Sequence, residues 1–260
     1  MRFEMAGNDG SNGAATARVN RLEPFGALED AEVAFFHAML GPQVPHVARD
    51  TVRREGEPNR GMFLLVEGWA VSSVGFADGS RQIVKVHLPG DVLGAPSLPF
   101  ATAVETLSTL TPAIVCPIPL GALGELFARM PRMAARMFLA AQEERVILMD
   151  RLASLGRLGA TGSVAALLVH LYERLSLIEP IASTRIQLPL TQAELGDILG
   201  LTAVHVNRVL RAMERAGHLR RNGKTFDLLD LDKLRAYAGI PQRRILRDMA
   251  WLPEAGLRVA

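Results

Sequence analysis

The chain carries a single cysteine, Cys116, among its 260 residues. One thiol cannot close an internal disulfide, ligate an iron–sulfur cluster unaided or build a Cys-rich zinc site, and this usage fits a reducing compartment. Long apolar runs are missing too. No stretch reaches the roughly 18 apolar residues of a membrane span, and the opening MRFEMAGNDGSNGAATARVN has no apolar leader segment, so the cytoplasm is the expected location. Charge of one sign is not in excess, since 29 basic and 27 acidic residues leave a formal +2. There is no Gly-rich phosphate loop, Gly-x-Ser-x-Gly elbow or His-Glu-x-x-His motif, so no residues present themselves for an enzymatic reaction. Nor is there a repeat of 20–50 residues that would build a solenoid. With 49% hydrophobic and 22% charged residues, disorder, collagen and coiled-coil rods are excluded as whole-chain descriptions.

What is present divides the chain unevenly. Residues 1–20 are rich in Gly, Asn, Ala and Ser and read as a tail. DAEVAFFHAML, from Asp30 to Leu40, reads as a short helix stopped by Gly41-Pro42. From Arg49 to Pro119, short apolar runs alternate with Gly and Pro, the texture of an antiparallel barrel or sandwich, and Asp78-Gly79 marks a hairpin. Gly56, Gly61, Gly68, Gly90 and Gly94 read as turn positions. A long helix is expected from Pro131, with Ala134, Phe138, Ala141, Arg145, Leu148, Leu152 and Leu155 spaced as an a/d seam. Such a seam pairs with a second copy or lies on its own barrel; pairing is favoured by heptads sustained over three repeats. A second helix, SVAALLVHLYERLSLI, precedes Pro180 and a loop EPIASTR. The resulting divisions are 1–20 tail, 21–128 β-rich domain, 129–158 seam helix, 159–240 C-terminal domain and 241–260 extension.

The most informative stretch runs from Leu188 to Leu234. Thr191 and Glu194 form a capping-box pattern that starts a helix at Gln192, with Leu195, Ile198 and Leu199 inward. Gly200 suits a left-handed turn, and Thr202 caps a second helix, Ala203 to Ala216, whose inward face is Val206, Val209, Leu210 and Met213. His205, Asn207, Arg208 and Arg211 fall on the other sides. Asn222-Gly223 offers a tight turn for a hairpin wing bearing Arg220, Arg221 and Lys224. Between Ala203 and Lys224, Arg215 adds to these cations, and the one acid is Glu214. A solvated helix face is the bland alternative for such a cluster, but a helix–turn–helix with a basic wing is the arrangement that enters a DNA major groove.

These segments resemble the cyclic-AMP receptor protein/fumarate–nitrate regulator (Crp/Fnr) superfamily of bacterial transcription factors, from about Val47 to Leu234. GEPNRGMFLLVEGWAVS with ADGSRQIVKVHLPGDVLG looks like its β-roll, and LPLTQAELGDILGLTAVHVNRVLRAM looks like its recognition unit. The resemblance implies an α+β fold: an N-terminal antiparallel β-roll, a long dimerisation helix and a C-terminal winged helix-turn-helix. It implies that Val204, Asn207 and Arg208 read bases, with Thr191, Gln192, Thr202 and His205 at backbone-contacting or helix-entry positions; Arg211, Arg221 and Lys224 complete the expected DNA face. Val204 stands where the family often has Glu, so a different target sequence is expected. The expected partners are double-stranded DNA, a second copy of the chain and, for an activator, RNA polymerase.

The effector side is less defined. Cyclic-nucleotide binders of this fold carry an Arg-Ser or Arg-Ala pair after the turn, and here the segment from Gly94 to Ala103 contains no Arg. Gly90, Gly94, Ser97 and Thr102 are the expected pocket residues, in a pocket without the usual phosphate-binding cation. No cofactor is expected; haem is the minor alternative, through His37, His46 or His87. His170 and Glu173, three apart on a helix, read as structural rather than metal-binding. The rival function is a small-molecule or cyclic-nucleotide signalling module whose helical domain binds a protein.

Overall fold

The computed structural model describes residues 22–178, 183–239, 241 and 243. The expected N-terminal tail and nearly all of the C-terminal extension lie outside the described residues. Helix α1 (Asp30–Ala38) opens with a capping box in which Glu29 N donates to Glu32 Oε2 at 3.0 Å. It stops two residues short of the expected Leu40, where the chain turns and Gly41 N donates to Pro117 O at 2.8 Å.

Eight strands follow: β1 (Val44–His46), β2 (Thr51–Arg53), β3 (Gly61–Glu67), β4 (Ala70–Gly75), β5 (Arg81–His87), β6 (Val92–Leu93), β7 (Thr106–Thr109) and β8 (Ala113–Pro119). They form two antiparallel four-stranded sheets, ordered β1-β8-β3-β6 and β2-β7-β4-β5. Asp78-Gly79 does make the β4–β5 hairpin: Gly79 takes φ 82°, and Asp78 Oδ1 accepts from Ser80 N at 2.9 Å. Leu65, Leu93, Leu107 and Val115 fill the space between the sheets. On the outer face of β3 and β8, Met62, Leu64 and Ile118 pack beneath Phe36 of α1.

Helix α2 (Leu120–Arg129) and the 27-residue α3 (Pro131–Arg157) continue that packing through Leu126 and Met133. Pro131 occupies the first turn of α3, where its missing N–H has no intrahelical partner to lose. The buried Arg136 Nη1 meets Glu32 Oε1 at 2.5 Å and ties α3 to α1. One expected seam residue is misplaced: Ala134 is buried in its own chain's core, because the first turns of α3 lie on the barrel. Phe138, Ala141, Arg145, Leu148 and Leu152 are exposed, and the side chain of Leu155 lies outside the described residues.

The C-terminal part comprises α4 (Ala160–Ile178), β9 (Arg185–Gln187), α5 (Gln192–Leu199), α6 (Ala203–Arg215), β10 (Leu219–Asn222), β11 (Thr225–Leu228) and α7 (Leu231–Ala238). The wing has three strands, ordered β10-β11-β9. Strand β9 begins inside what reads as a loop in the sequence. Three residues with one apolar side chain give no detectable period, and the strand exists because β11 offers its free edge, pairing Ile186 with Phe226. A continuous apolar cluster joins the two halves of the molecule, running from Val71, Ile83 and Val86 to Leu168, Leu171 and Ile198.

Candidate nucleic-acid interface

The helix pair is set by local chemistry at three of its four ends. Thr191 N donates to Glu194 Oε2 at 2.7 Å and Glu194 N to Thr191 Oγ1 at 3.2 Å, completing the capping box of α5. Gly200 ends that helix at φ 65°, ψ 32°, a conformation a Cβ would disfavour. The Thr202 hydroxyl then accepts from His205 N at 3.2 Å and starts α6. Val206, Val209, Leu210 and Met213 are buried, which fixes the opposite side of α6 toward solvent.

That outward side gathers the expected residues. Val204, Arg208 and Arg211 are exposed, and His205 and Asn207 are half-buried. Val204, Asn207, Arg208, Arg211 and Arg215 line one shallow hollow. Thr191 and Gln192 stand exposed at the start of α5, and Thr202 at the start of α6. On the wing, Gly223 takes φ 60° at the β10–β11 turn and leaves Lys224 exposed. Arg221 differs from expectation. Its Nη2 lies 2.7 Å from Glu214 Oε2 and its backbone N donates to Glu214 Oε1 at 3.2 Å, so it is a half-buried strut between wing and helix rather than an open cation. The Arg221 guanidinium in turn holds the Glu214 carboxyl below its ordinary range. Arg220 pairs with Asp227 at 3.1 Å.

Residues 162–237 match the Crp-like helix-turn-helix domain and residues 44–130 match the cyclic nucleotide-binding domain. The transcriptional activatory protein AadR of Rhodopseudomonas palustris is 31% identical over 188 residues, spanning 72% of this chain and 74% of that protein. The chain belongs to the Crp/Fnr family of DNA-binding transcription regulators. The fumarate and nitrate reduction regulatory protein of Salmonella typhimurium is 27% identical over 222 residues, 83% of this chain and 86% of its own. The solved structure of FixK2 from Bradyrhizobium japonicum superposes with a TM-score of 0.70 at 24% identity, covering 77% of this chain and 98% of that one, and shares the fold.

The β-roll and the helix pair are joined by polar as well as apolar contacts. Gln82 Nε2 of β5 donates to Ile198 O, the carbonyl end of α5, at 3.0 Å. Arg81 Nε meets Asp197 Oδ2 at 2.9 Å, and Arg49 pairs with the buried Glu194 of the capping box. Arg151 of α3 donates to Ile83 O and Val84 O, each at 2.7 Å, and also to Ile198 O. Burial without a carboxylate lowers Arg151 to about 10, and the carbonyl cluster, including the negative end of α5, supplies its partners. Arg174 of α4 donates to Val86 O at 2.7 Å and pairs with the buried Asp91. Sequence spacing reveals none of these contacts, because each joins residues 47 to 145 positions apart.

Within the β-roll, Gly94 adopts φ 82° and Ser97 is fully buried, whereas Thr102 is exposed, paired through a β-bridge to Pro58. Gly90 turns the chain with its N–H on Leu65 O at 2.8 Å. The segment from Gly94 to Ala103 lacks Arg, yet the pocket region does not lack a cation: Arg53 reaches it from β2. Only 4% exposed, Arg53 donates from Nη2 to Ser97 Oγ at 3.0 Å and from Nη1 to Gly61 O at 3.1 Å. A Cβ on Gly94 would stand 2.7 Å from Arg53 Nη2, so the glycine makes room for the guanidinium. Among the histidines, His46 Nδ1 lies 2.7 Å from Asp50 Oδ2. His87 is buried with Nε2 2.7 Å from Ser72 Oγ, and burial holds its imidazole well below the usual value. Glu173 pairs with Arg235 at 3.1 Å, and among the described residues no group of three or more His, Cys, Asp or Glu is placed to hold a metal ion. No helix among the described residues is long and apolar enough to cross a membrane.

Proposed function

We propose that the protein acts in the cytoplasm as a homodimer on an inverted-repeat promoter site, meeting RNA polymerase there when it activates. The observation that carries this reading is the solvent-facing N-terminal half of α6, where Asn207 and Arg208 stand beside exposed Val204 without a covering element. A two-fold axis along α3 would set two such helices about 34 Å apart, one per successive major groove. Arg208 is the guanine reader, able to fork onto O6 and N7, and Asn207 takes a neighbouring base or phosphate, since successive helical side chains diverge by about 100°.

Two substitutions separate base reading from charge. Arg208→Ala costs about 1–3 kcal/mol on the preferred duplex and relaxes one base pair in each half-site. Lys224→Ala weakens all sequences nearly equally and lowers the salt slope by about 1. Binding measured across salt and single-base variants tests both, and an equal loss on specific and random DNA after Arg208→Ala would reassign that residue to phosphate.

Cyclic AMP is not the effector through the family's usual contact. Arg53, the buried cation that reaches that segment, already donates to the neutral oxygens of Ser97 and Gly61. Calorimetry with millimolar cyclic AMP should show no saturable heat. Micromolar affinity, about −8 kcal/mol, would require Arg53 to leave these partners for phosphate and would overturn the assignment.

A further inference from the structure

We infer that Val204 reads the 5-methyl group of a thymine in the major groove and thereby fixes one A·T pair in each half-site; this rests on the DNA-reading role proposed above for α6. Val204 is 81% exposed, while Val206 and Val209 of the same helix are 0% and 6% exposed. It stands in the first turn, two residues after the Thr202 cap, where a groove-reading helix meets base edges. The fold gives no reason for a valine at this place. A β-branched side chain is a poorer helix former than alanine, and at this exposure it contributes little to the core.

The surroundings narrow what it can meet. Val204 shares its hollow with Asn207, Arg208, Arg211 and Arg215, none of them acidic. Arg presents donors for guanine, and Asn presents a donor and an acceptor for adenine. Cytosine offers an N4 amino donor, which needs an acceptor; a carboxylate at position 204 would supply one, whereas the isopropyl group cannot. Glu214, the acid within α6, is bound to Arg221 and does not line the hollow. The apolar group that a base edge displays in the major groove is the thymine methyl, so it is the partner that Val204 can bury without stranding a polar atom.

The test uses the full-length protein and duplexes it selects from a random pool. Each thymine in the selected half-site is replaced in turn by deoxyuridine, which keeps every hydrogen-bonding group and loses only the methyl. One position per half-site should then lose about four-fold in affinity, the ~0.8 kcal/mol of one buried methyl group. Val204→Ala should bind the parent duplex more weakly and no longer distinguish thymine from uracil there. Val204→Glu should shift the selected base at that position toward cytosine. If the wild-type protein selects a defined sequence but tolerates deoxyuridine everywhere, or if Val204→Ala keeps the thymine preference, the inference is wrong while base reading by α6 stands. If no sequence is selected at all, base reading by α6 falls, and the inference with it.

Discussion

Aspartate at both Leu148 and Leu152 should turn the protein into a monomer in sedimentation and weaken its binding to a two-half-site duplex at least about 100-fold. Beyond the first turns of α3, the helix leaves Phe138, Leu148, Met149 and Leu152 between 47% and 73% exposed. Four large apolar side chains along one helix are a poor solvent face, and covering each is worth up to about 1.5–3 kcal/mol. Two-fold symmetry would double the benefit. Exposed Arg145 interrupts the stripe and would lie near the axis, where a cation favours register over stability. The DNA effect follows from linkage: in a dimer the second half-site binds intramolecularly, and losing that connection forfeits a factor of roughly 10²–10⁴. Because these leucines are exposed within one chain, the substitutions should leave circular dichroism and the melting of the monomer unit nearly unchanged. A dimer that survives both changes would place the pairing surface elsewhere.

Features written into neighbouring residues were legible from sequence. Asp78-Gly79, the Thr191–Glu194 capping box, Gly200 and Asn222-Gly223 each fix a turn or helix end within four residues, and all appear where the pattern puts them. The exposed face of α6 was legible for the same reason, since burying Val206, Val209, Leu210 and Met213 leaves only one outward side. Charge, by contrast, was legible as composition but not as geometry. Arg220, Arg221 and Lys224 look equivalent in sequence, yet Arg221 is half-buried against Glu214, Arg220 pairs with Asp227 at the surface, and Lys224 stands exposed. The Arg53 contact was hidden because β2 and Ser97 meet only when the two sheets close, 44 positions apart. Ala134 was misassigned because a heptad records which side of a helix is apolar, not whether barrel or partner covers it.

Removing the guanidinium of Arg174 should destabilise the protein by about 3–5 kcal/mol, because it takes the paired cation away from a buried carboxylate. Arg174 and Asp91 have side chains 8% and 0% exposed, and the pair joins α4 of the DNA-binding half to the turn that follows β5. Asp91 Oδ2 also accepts from Leu88 N at 2.9 Å, so the carboxylate stays anchored in place when Arg174 is lost. The carbonyl of Val86 loses its Arg174 donor at the same spot. For a chain of this size, 1 kcal/mol corresponds to roughly 2–4 °C, so Arg174→Ala should lower the melting temperature by about 10 °C in calorimetry at neutral pH. The control is the double change Arg174→Met with Asp91→Leu, which removes both charges at similar volume and should recover most of the loss. Strong destabilisation in the double variant as well would show that packing or the Val86 and Leu88 hydrogen bonds, rather than the loss of the ion pair, dominate there. The alternative of a drop under about 2 °C for Arg174→Ala alone would mean that water reaches Asp91 once the arginine is gone, and that the two halves separate readily along this seam.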